Sequence, residues 1–173
     1  MDNTTTPQLK TSRLSIPAAI GLGLLLLAVD FTTKAMAITH LPLDQLEPTA
    51  VPFFFWRLIY NTGSHYLLGP VGEWVPYRLM MGLAGAAVIG MIVLMAQEAR
   101  RMPPSPMRTI YWLITAVLIG ALGNALEVVA LGRATDFFML NPFPWPSNLC
   151  DQFVNAVVFV LVPLSFYLGW RQR

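Results

Sequence analysis

The chain has 173 residues, of which 55% are hydrophobic and 12% charged, and its formal net charge is +2. The length suits a single domain, and the charged share is well below the roughly one quarter of a soluble domain, which indicates a multi-pass membrane protein. The small net charge and the lack of a Lys/Arg run exclude a nucleic-acid-binding protein, and the single cysteine excludes an internal disulfide or a Cys-rich metal site. We find no nucleotide fingerprint either.

The first predicted membrane span follows a polar N-terminal segment. Residues 1–13 predict a disordered cytoplasmic tail. Residues 14–38 are apolar enough to span a bilayer, and no small-residue cleavage site follows them, so we expect a retained span. Asp30 and Lys34 lie four residues apart and therefore on one helical face. We predict that they form a structural clamp between helices, and direct contact with a substrate is the alternative.

The connection after the first span is too long to be a plain loop. Its middle, VPFFFWRLIYNTG, is rich in aromatic and β-branched residues and predicts strand structure that ends in a turn at 61–63. The aromatic run is typical of an interfacial belt, and a lipid-facing platform is the alternative. Three further spans are predicted at 75–97, 109–126 and 151–170.

The positions of the basic residues predict the orientation. One side of the predicted bundle carries most of them: Lys10, Arg13, Arg100, Arg101, Arg108, Arg171 and Arg173. The positive-inside rule makes this side cytoplasmic, so both termini lie in the cytoplasm and the two long loops lie outside. The sequence therefore predicts one polytopic membrane domain, 1–173.

Two aspartates stand at the edges of the loop before the fourth span. A carboxylate at the membrane rim is costly, and two that converge form a candidate acid/base pair. Asp151 opens the fourth helix, so a simple helix cap also explains it. Asp136 lies among phenylalanines, where desolvation raises the pKa of a carboxyl. This asymmetry suits an aspartic protease, in which one carboxylate activates water and its protonated partner donates to the scissile carbonyl.

Five short segments, DFTTK, YNTG, GALGN, TDF and NLCD, occur in this order along the chain. Together they resemble the bacterial lipoprotein signal peptidases, the type II signal peptidase family. The resemblance implies an all-α membrane protein with four transmembrane helices, both termini cytoplasmic, and a small extracytoplasmic β-cradle. It also implies an aspartic endopeptidase that removes signal peptides from lipid-modified prolipoproteins by cleaving before the diacylglyceryl-cysteine, without a metal or other cofactor. We expect a monomer in the bacterial inner membrane, in contact with membrane lipids, with its active site on the periplasmic face.

The resemblance assigns roles to individual residues. The catalytic pair would be Asp136 and Asp151. The substrate-binding positions would be Asn61, Gly63, Gly120, Gly123, Asn124 and Asn148. Asp30 and Lys34 match the first-helix pair of the family, and they would support the site rather than perform the chemistry.

Two neighbouring positions depart from the family pattern. Glu127 stands where the family has Asp, and Val128 stands where it has Arg. Since a lone carboxylate at this depth needs a partner, we hypothesise that Arg133 pairs with Glu127. The altered surroundings leave a second function open, a catalytically weak or inactive paralogue that binds lipoproteins, lipids or an inhibitor. A thiol enzyme using Cys150 with His65 is a third, but a single cysteine in apolar surroundings is usually inert.

Overall fold

The computed structural model describes residues 15–63, 75–143 and 145–171. Within them, four helical stretches are long and apolar enough to cross a membrane: Ile16–His40, Tyr77–Arg101, Pro106–Leu131 and Leu149–Arg171. A three-stranded sheet accompanies these spans. They confirm the predicted class, a mostly helical protein with four candidate spans and a small sheet. The predicted tail at 1–13 lies outside the described residues, as does His65.

The helices are numbered in chain order through the described residues. They are α1 Ile16–His40, α2 Tyr77–Arg101, α3 Pro106–Gly120, α4 Gly123–Leu131, α5 Leu149–Ala156 and α6 Val162–Arg171. Prolines mark several of the starts, because the first turn of a helix does not need their missing N–H group. At the start of α3, the hydroxyl of Ser105 also accepts a hydrogen bond from the amide of Arg108 at 3.2 Å.

The third span consists of two helices separated by a break. At the end of α3, the amide of Leu122 donates to the carbonyl of Ile119 at 3.2 Å, three residues back, so the last turn is tightened. α4 then begins at Gly123 and places Asn124 in its first turn. It ends at Leu131 and is capped by Gly132, whose φ of 78° lies in the left-handed region that favours glycine.

The fourth span contains a π-helical segment, Val157–Leu161, between α5 and α6. Pro163 lies two residues after this segment and has no N–H group to donate to the preceding turn. The amide of Val162 donates to the carbonyl of Val157, five residues back, which is the π-helical pattern. The helix thus continues past the proline by widening one turn rather than by breaking.

The sheet has the order β1-β2-β3 and is antiparallel throughout. Its strands are Glu47–Pro48, Phe54–Asn61 and Ala134–Leu140. β2 lies in the aromatic stretch for which the composition predicted strand structure. β3 follows the third span directly, so the sheet forms at the end of the bundle where α4 ends and α5 begins.

A β-bulge interrupts the pairing of β2 with β3. Trp56 pairs with Phe138, whereas Ile59 pairs with Asp136, and the register shifts between these two pairs. Two residues of β2, Arg57 and Leu58, therefore face a single residue of β3. An extra residue of this kind bends a strand and increases its twist, and it often occurs next to an active site.

The third span lies at the centre of the bundle. More than half of its apolar stretch is buried, whereas the other three spans are mostly exposed on their outer surfaces. Both α1 and α2 pack along α3. Trp112 of α3 is 1% exposed and packs against Ala19 of α1 and Ala99 of α2. At the other end of the third span, α4 carries Asn124 and Glu127 and packs against α1, α2 and β3.

Candidate active site

Asp136 lies in β3, where it is 4% exposed. Its two carboxylate oxygens accept hydrogen bonds from two asparagines. The side-chain amide of Asn148 donates to Oδ1 at 2.5 Å, and that of Asn61 donates to Oδ2 at 3.4 Å. Asn61 is the last residue of β2, two residues beyond the position opposite Asp136, so the sheet register brings it within reach.

Asp151 lies in the first turn of α5 and takes part in a capping box with Asn148. The amide of Asp151 donates to Oδ1 of Asn148 at 3.2 Å, and the amide of Asn148 donates to Oδ2 of Asp151 at 3.1 Å. Ser147 Oγ also donates to Oδ2, and Nδ2 of Asn124 donates to Oδ1 at 2.9 Å. Asp151 therefore takes part in the helix cap, as considered from the sequence. It also accepts hydrogen bonds from Ser147 and Asn124 that a helix cap does not need.

The chain returns to β3 before it enters α5. Ser147 pairs with Phe138, and their backbones exchange hydrogen bonds of 2.7 and 3.1 Å. This bridge closes the loop and places Asn148 beside the strand that carries Asp136. Asn148 is completely buried, and it contacts both carboxylates. One asparagine thus connects two acidic residues that come from different elements.

The environment of Asp136 favours its neutral form. Burial is the largest cause and the charge of Asp151 the second, and together they raise the pKa of Asp136 to about 7. The hydrogen bonds from Asn148 and Asn61, and the charge of Lys34, oppose this shift. The direction agrees with the desolvation expected for a carboxyl between phenylalanines, and it leaves Asp136 able to hold a proton near neutral pH.

A buried charge cluster adjoins the aspartate pair. Lys34 of α1 is 3% exposed, and its Nζ lies 2.9 Å from Asp30 Oδ2 and 2.9 Å from Glu127 Oε2. The same Nζ donates to Oδ1 of Asn124 at 2.6 Å. The predicted pairing of Asp30 with Lys34 is present, and it extends to α4 through Glu127. The ammonium group is therefore surrounded by three oxygen atoms, two of which belong to carboxylates.

The hypothesised pairing of Arg133 with Glu127 is wrong. Among the described residues, Glu127 is bonded to Lys34 and to the hydroxyl of Thr135, which donates to Oε1 at 2.5 Å. The guanidinium of Arg133 instead lies over the ring of Tyr60, 3.5 Å from its centroid. Lys34 reaches Glu127 from inside the bundle, whereas Arg133 lies beyond the end of α4. The pairing of Lys34 with Glu127 was not predicted, because the two residues are far apart in the sequence.

The predicted glycines have different surroundings. A Cβ on Gly123 would lie 2.5 Å from Asp30 Oδ2 and 2.9 Å from Cys150 Sγ, and one on Gly120 would lie 2.8 Å from the Cβ of Leu26. Both glycines are buried and permit α1 and α5 to approach the third span closely. Gly63 differs, because its amide donates to Oδ1 of Asn61 at 3.2 Å and so helps to orient that side chain.

Two cavities flank the aspartate pair. One of about 430 Å³ includes Asp136 and Asn61 in its wall, together with residues from the bulged part of β2. Another of about 510 Å³ includes Asp151 and lies under the aromatic loop that follows β3. Pro146 borders both. A chain running from one cavity to the other would pass the two carboxylates.

Two polar residues of this site are not among those predicted from the sequence. Thr135 and Ser147 each precede a residue that was predicted, and each bonds to a carboxylate. The only sequence signal for Ser147 was its place directly before a capping-box pattern. Within the described part of the chain, no group of three or more His, Cys, Asp or Glu side chains is arranged to hold a metal ion.

The fold and the site define a multi-pass membrane protein with a buried pair of bridged carboxylates at one end of its bundle. The chain belongs to the signal peptidase II family, since the family profile described as "Signal peptidase (SPase) II" matches residues 22–167.

Curated relatives agree with this assignment. The chain is similar to the lipoprotein signal peptidase of Acinetobacter baylyi, with 33% identity over 160 residues, 89% of this chain and 84% of the relative. It is 32% identical over 153 residues to the lipoprotein signal peptidase of Chlorobium luteolum, covering 82% of this chain and 86% of that protein.

Solved structures agree with the fold. A bacterial membrane enzyme structure is similar with a TM-score of 0.67 and 16% identity, covering 91% of this chain and 92% of that one. A second bacterial membrane enzyme structure has a TM-score of 0.69 at 15% identity, covering 87% of this chain and 93% of that one.

Proposed function

We propose that this protein is a membrane-embedded aspartic endopeptidase of the bacterial inner membrane. It removes signal peptides from lipid-modified prolipoproteins by cleaving before the diacylglyceryl-cysteine. The observation that carries this proposal is the bridging of Asp136 and Asp151 by Asn148, with two hydrogen bonds accepted by the Asp136 carboxyl and three by that of Asp151. Family membership and the names of the curated relatives support the reaction class and the substrate.

The proposed chemistry divides two roles between the aspartates. Asp136, with its pKa raised to about 7, holds a proton and donates a hydrogen bond to the scissile carbonyl oxygen. Asp151, whose oxygens accept from Asn124, Ser147 and Asn148, acts as the base. It removes a proton from a water molecule as the water oxygen bonds to the carbonyl carbon.

The proton transfers balance over the cycle. As water attacks, the proton of Asp136 passes to the carbonyl oxygen, and a gem-diol forms. When the carbon–nitrogen bond breaks, Asp151 returns its newly acquired proton to the leaving amine, and a hydroxyl of the gem-diol returns a proton to Asp136. Both carboxyls are then in their starting forms, and no metal is required.

The proposed orientation places this site on the periplasmic face. The described basic residues Arg100, Arg101, Arg108 and Arg171 lie at the ends of the spans opposite the aspartate pair. The positive-inside rule assigns that end to the cytoplasm. Both carboxylates come from one chain, so a monomer surrounded by membrane lipids is sufficient for the reaction.

Cleavage of a lipid-modified precursor in detergent tests the proposal. The purified protein should convert a diacylglyceryl-modified prolipoprotein to a shorter form on a gel, and Asp136→Asn should not. Glu98→Gln, a partly exposed carboxylate near the far end of α2, is the matched control and should retain activity. The same precursor without its lipid should remain uncut.

The second function, a non-cleaving paralogue, gives a different result in this assay. It is favoured by one observation, that the position at which the family has arginine holds Val128, which is completely buried. Binding of the lipid-modified precursor without cleavage, equal in the wild type and in Asp136→Asn, would support that function and contradict the peptidase.

A further inference from the structure

We propose that Lys34 is a positioning residue for both aspartates, through three separate connections that start at its ammonium group. This inference rests on the proposed function, because it assigns Lys34 a role in the same site. Lys34 lies on the first span and is in direct contact with neither Asp136 nor Asp151. It acts instead through Asn124, which accepts a hydrogen bond from Nζ, and through Asp30 and Glu127, which form ion pairs with Nζ. Each of the three also bonds to one of the two proposed catalytic residues or to the residue directly before it.

The first connection fixes the orientation of an amide. Asn124 Oδ1 accepts a hydrogen bond from Lys34 Nζ at 2.6 Å. The ammonium can only donate, so the oxygen of this amide must face Lys34 and its nitrogen must face the other way. That nitrogen donates to Oδ1 of Asp151 at 2.9 Å. Without Lys34, the amide could turn around and present an oxygen to the carboxylate.

The second connection holds the backbone next to Asp151. Asp30 uses Oδ2 to bind Lys34 and Oδ1 to accept the backbone amide of Cys150 at 3.0 Å. Cys150 directly precedes Asp151 in the first turn of α5. The amides of this turn have no partner within their own helix, so Asp30 supplies one from α1.

The third connection reaches the strand that carries Asp136. Glu127 uses Oε2 to bind Lys34 and Oε1 to accept the hydroxyl of Thr135 at 2.5 Å. Thr135 directly precedes Asp136 in β3, and it is completely buried. The two carboxylates that pair with Lys34 therefore each hold a different segment of the site. Asp30 holds the start of α5, which carries Asp151, and Glu127 holds β3, which carries Asp136.

The arrangement exceeds what a helix clamp requires. Pairing of Lys34 with Asp30 on the same helix would already neutralise one charge, but the ammonium makes two further contacts with α4. Its Nζ has three oxygen neighbours at 2.6, 2.9 and 2.9 Å, and its side chain is 3% exposed, so these neighbours and the surrounding protein close it off from a substrate. The position of Lys34 thus determines the separation of Asp136 and Asp151 from both sides.

Thr135 provides the first test, because its hydroxyl can be removed without changing its shape. Thr135→Val should lower kcat on the order of 10- to 100-fold, the effect of a small misplacement of catalytic groups, with KM changed by less than about twofold. Thr135→Ser keeps the hydroxyl and should restore kcat to within about threefold of the wild type. Thr115→Val, at a buried threonine bonded within α3, is the matched control and should leave kcat unchanged.

A charge-balanced variant separates positioning from stability. Lys34→Met alone leaves two buried carboxylates unpaired and can impair folding. Lys34→Met combined with Asp30→Asn and Glu127→Gln removes the charges together and should recover most of the melting temperature. Its kcat should remain at least about 10-fold below that of the wild type, because the connections to the aspartates are changed.

The outcomes distinguish this proposal from the proposed function. A wild type that cleaves no lipid-modified precursor contradicts the proposed function, and the positioning role with it. A wild type that cleaves, together with wild-type kcat in Thr135→Val and in the triple variant, overturns the positioning role alone. Loss of kcat in Thr135→Val with recovery in Thr135→Ser, in proteins of equal melting temperature, supports it.

Discussion

Asn148 donates its side-chain amide to Oδ1 of Asp136 at 2.5 Å and its backbone amide to Oδ2 of Asp151 at 3.1 Å. The residue that caps α5 is therefore also the residue that connects the two carboxylates. Because Oδ1 of the same side chain accepts the amide of Asp151, its orientation is fixed by the helix itself. The start of α5 and the proposed catalytic pair share this residue. We therefore expect replacement of Asn148 to disrupt both the helix start and the arrangement of the two carboxylates.

The two aspartates should behave as one catalytic unit. Asp136→Asn and Asp151→Asn should each abolish cleavage of a lipid-modified precursor, and the double variant should be no worse than either single variant. Both single variants should remain folded, as measured by thermal unfolding in detergent. Full activity in either one would remove that residue from the mechanism, and additive losses would indicate independent roles.

Activity should fall as the pH rises through about 7. Asp136 must be protonated to donate to the scissile carbonyl, and its raised pKa of about 7 means that the proton is lost above that pH. Asn61 lowers this pKa by its hydrogen bond, so Asn61→Leu should move the alkaline limb of kcat/KM to higher pH. A limb that stays in place or moves to lower pH would contradict the role of Asp136 as the acid.

The buried charge cluster should contribute far more to stability than the exposed ion pair of the sheet. Lys34→Ala leaves Asp30 and Glu127 unpaired and should cost about 3–5 kcal/mol of unfolding free energy. Arg57→Ala removes the partner of Asp44, a pair with side chains 35% and 69% exposed, and should cost less than about 1 kcal/mol. Denaturation in detergent micelles measures the unfolding free energy of each variant. Equal losses in the two variants would mean that water screens the charges of the buried cluster.

Arg133 should act through Tyr60 and not through Glu127. Stacking of its guanidinium on the ring at 3.5 Å predicts that Arg133→Ala costs about 0.5–1 kcal/mol, and that the effect disappears when Tyr60 is already leucine. Tyr60→Phe keeps the ring and should preserve the interaction. A double-mutant cycle measures this coupling. Coupling of Arg133 to Glu127→Gln in a parallel cycle would instead restore the pairing hypothesised from the sequence.

Gly123 should be sensitive to a single methyl group. The added Cβ would meet Asp30 Oδ2 at 2.5 Å, so Gly123→Ala should displace this carboxylate and lower both the melting temperature and kcat. Gly90→Ala, in a helix position with open space around the added atom, is the control and should be neutral or slightly stabilising. Equal behaviour of the two variants would show that α1 can move away without consequence.

The parts of this protein that depend on local pattern could be predicted. Runs of apolar residues revealed four spans, and the aromatic composition around Trp56 predicted a strand. The carboxylates were recognised because an acidic residue at the membrane rim needs a physical reason. These predictions need only the chemistry of neighbouring residues.

The parts that depend on contacts between residues far apart in the sequence could not be predicted. Lys34 and Asn124 are 90 positions apart, and nothing in the chain indicates which carboxylate an intramembrane lysine will reach. Proximity in sequence favoured Arg133 as the partner of Glu127, but the packing of α1 against the third span brought Lys34 closer. Thr135 gave no signal of its own, because a threonine before a strand aspartate is ordinary.

The bulge in β2 allows the number of residues in this strand to vary without loss of the contact to Asp136. Arg57 and Leu58 together oppose one residue of β3, so deleting either of them would leave a regular ladder in which Ile59 still pairs with Asp136. Asn61 would keep its place beside the carboxylate, and only the local bend and added twist of the strand would be lost. Homologous chains with one residue fewer between Trp56 and Ile59 should therefore still place the asparagine at the site.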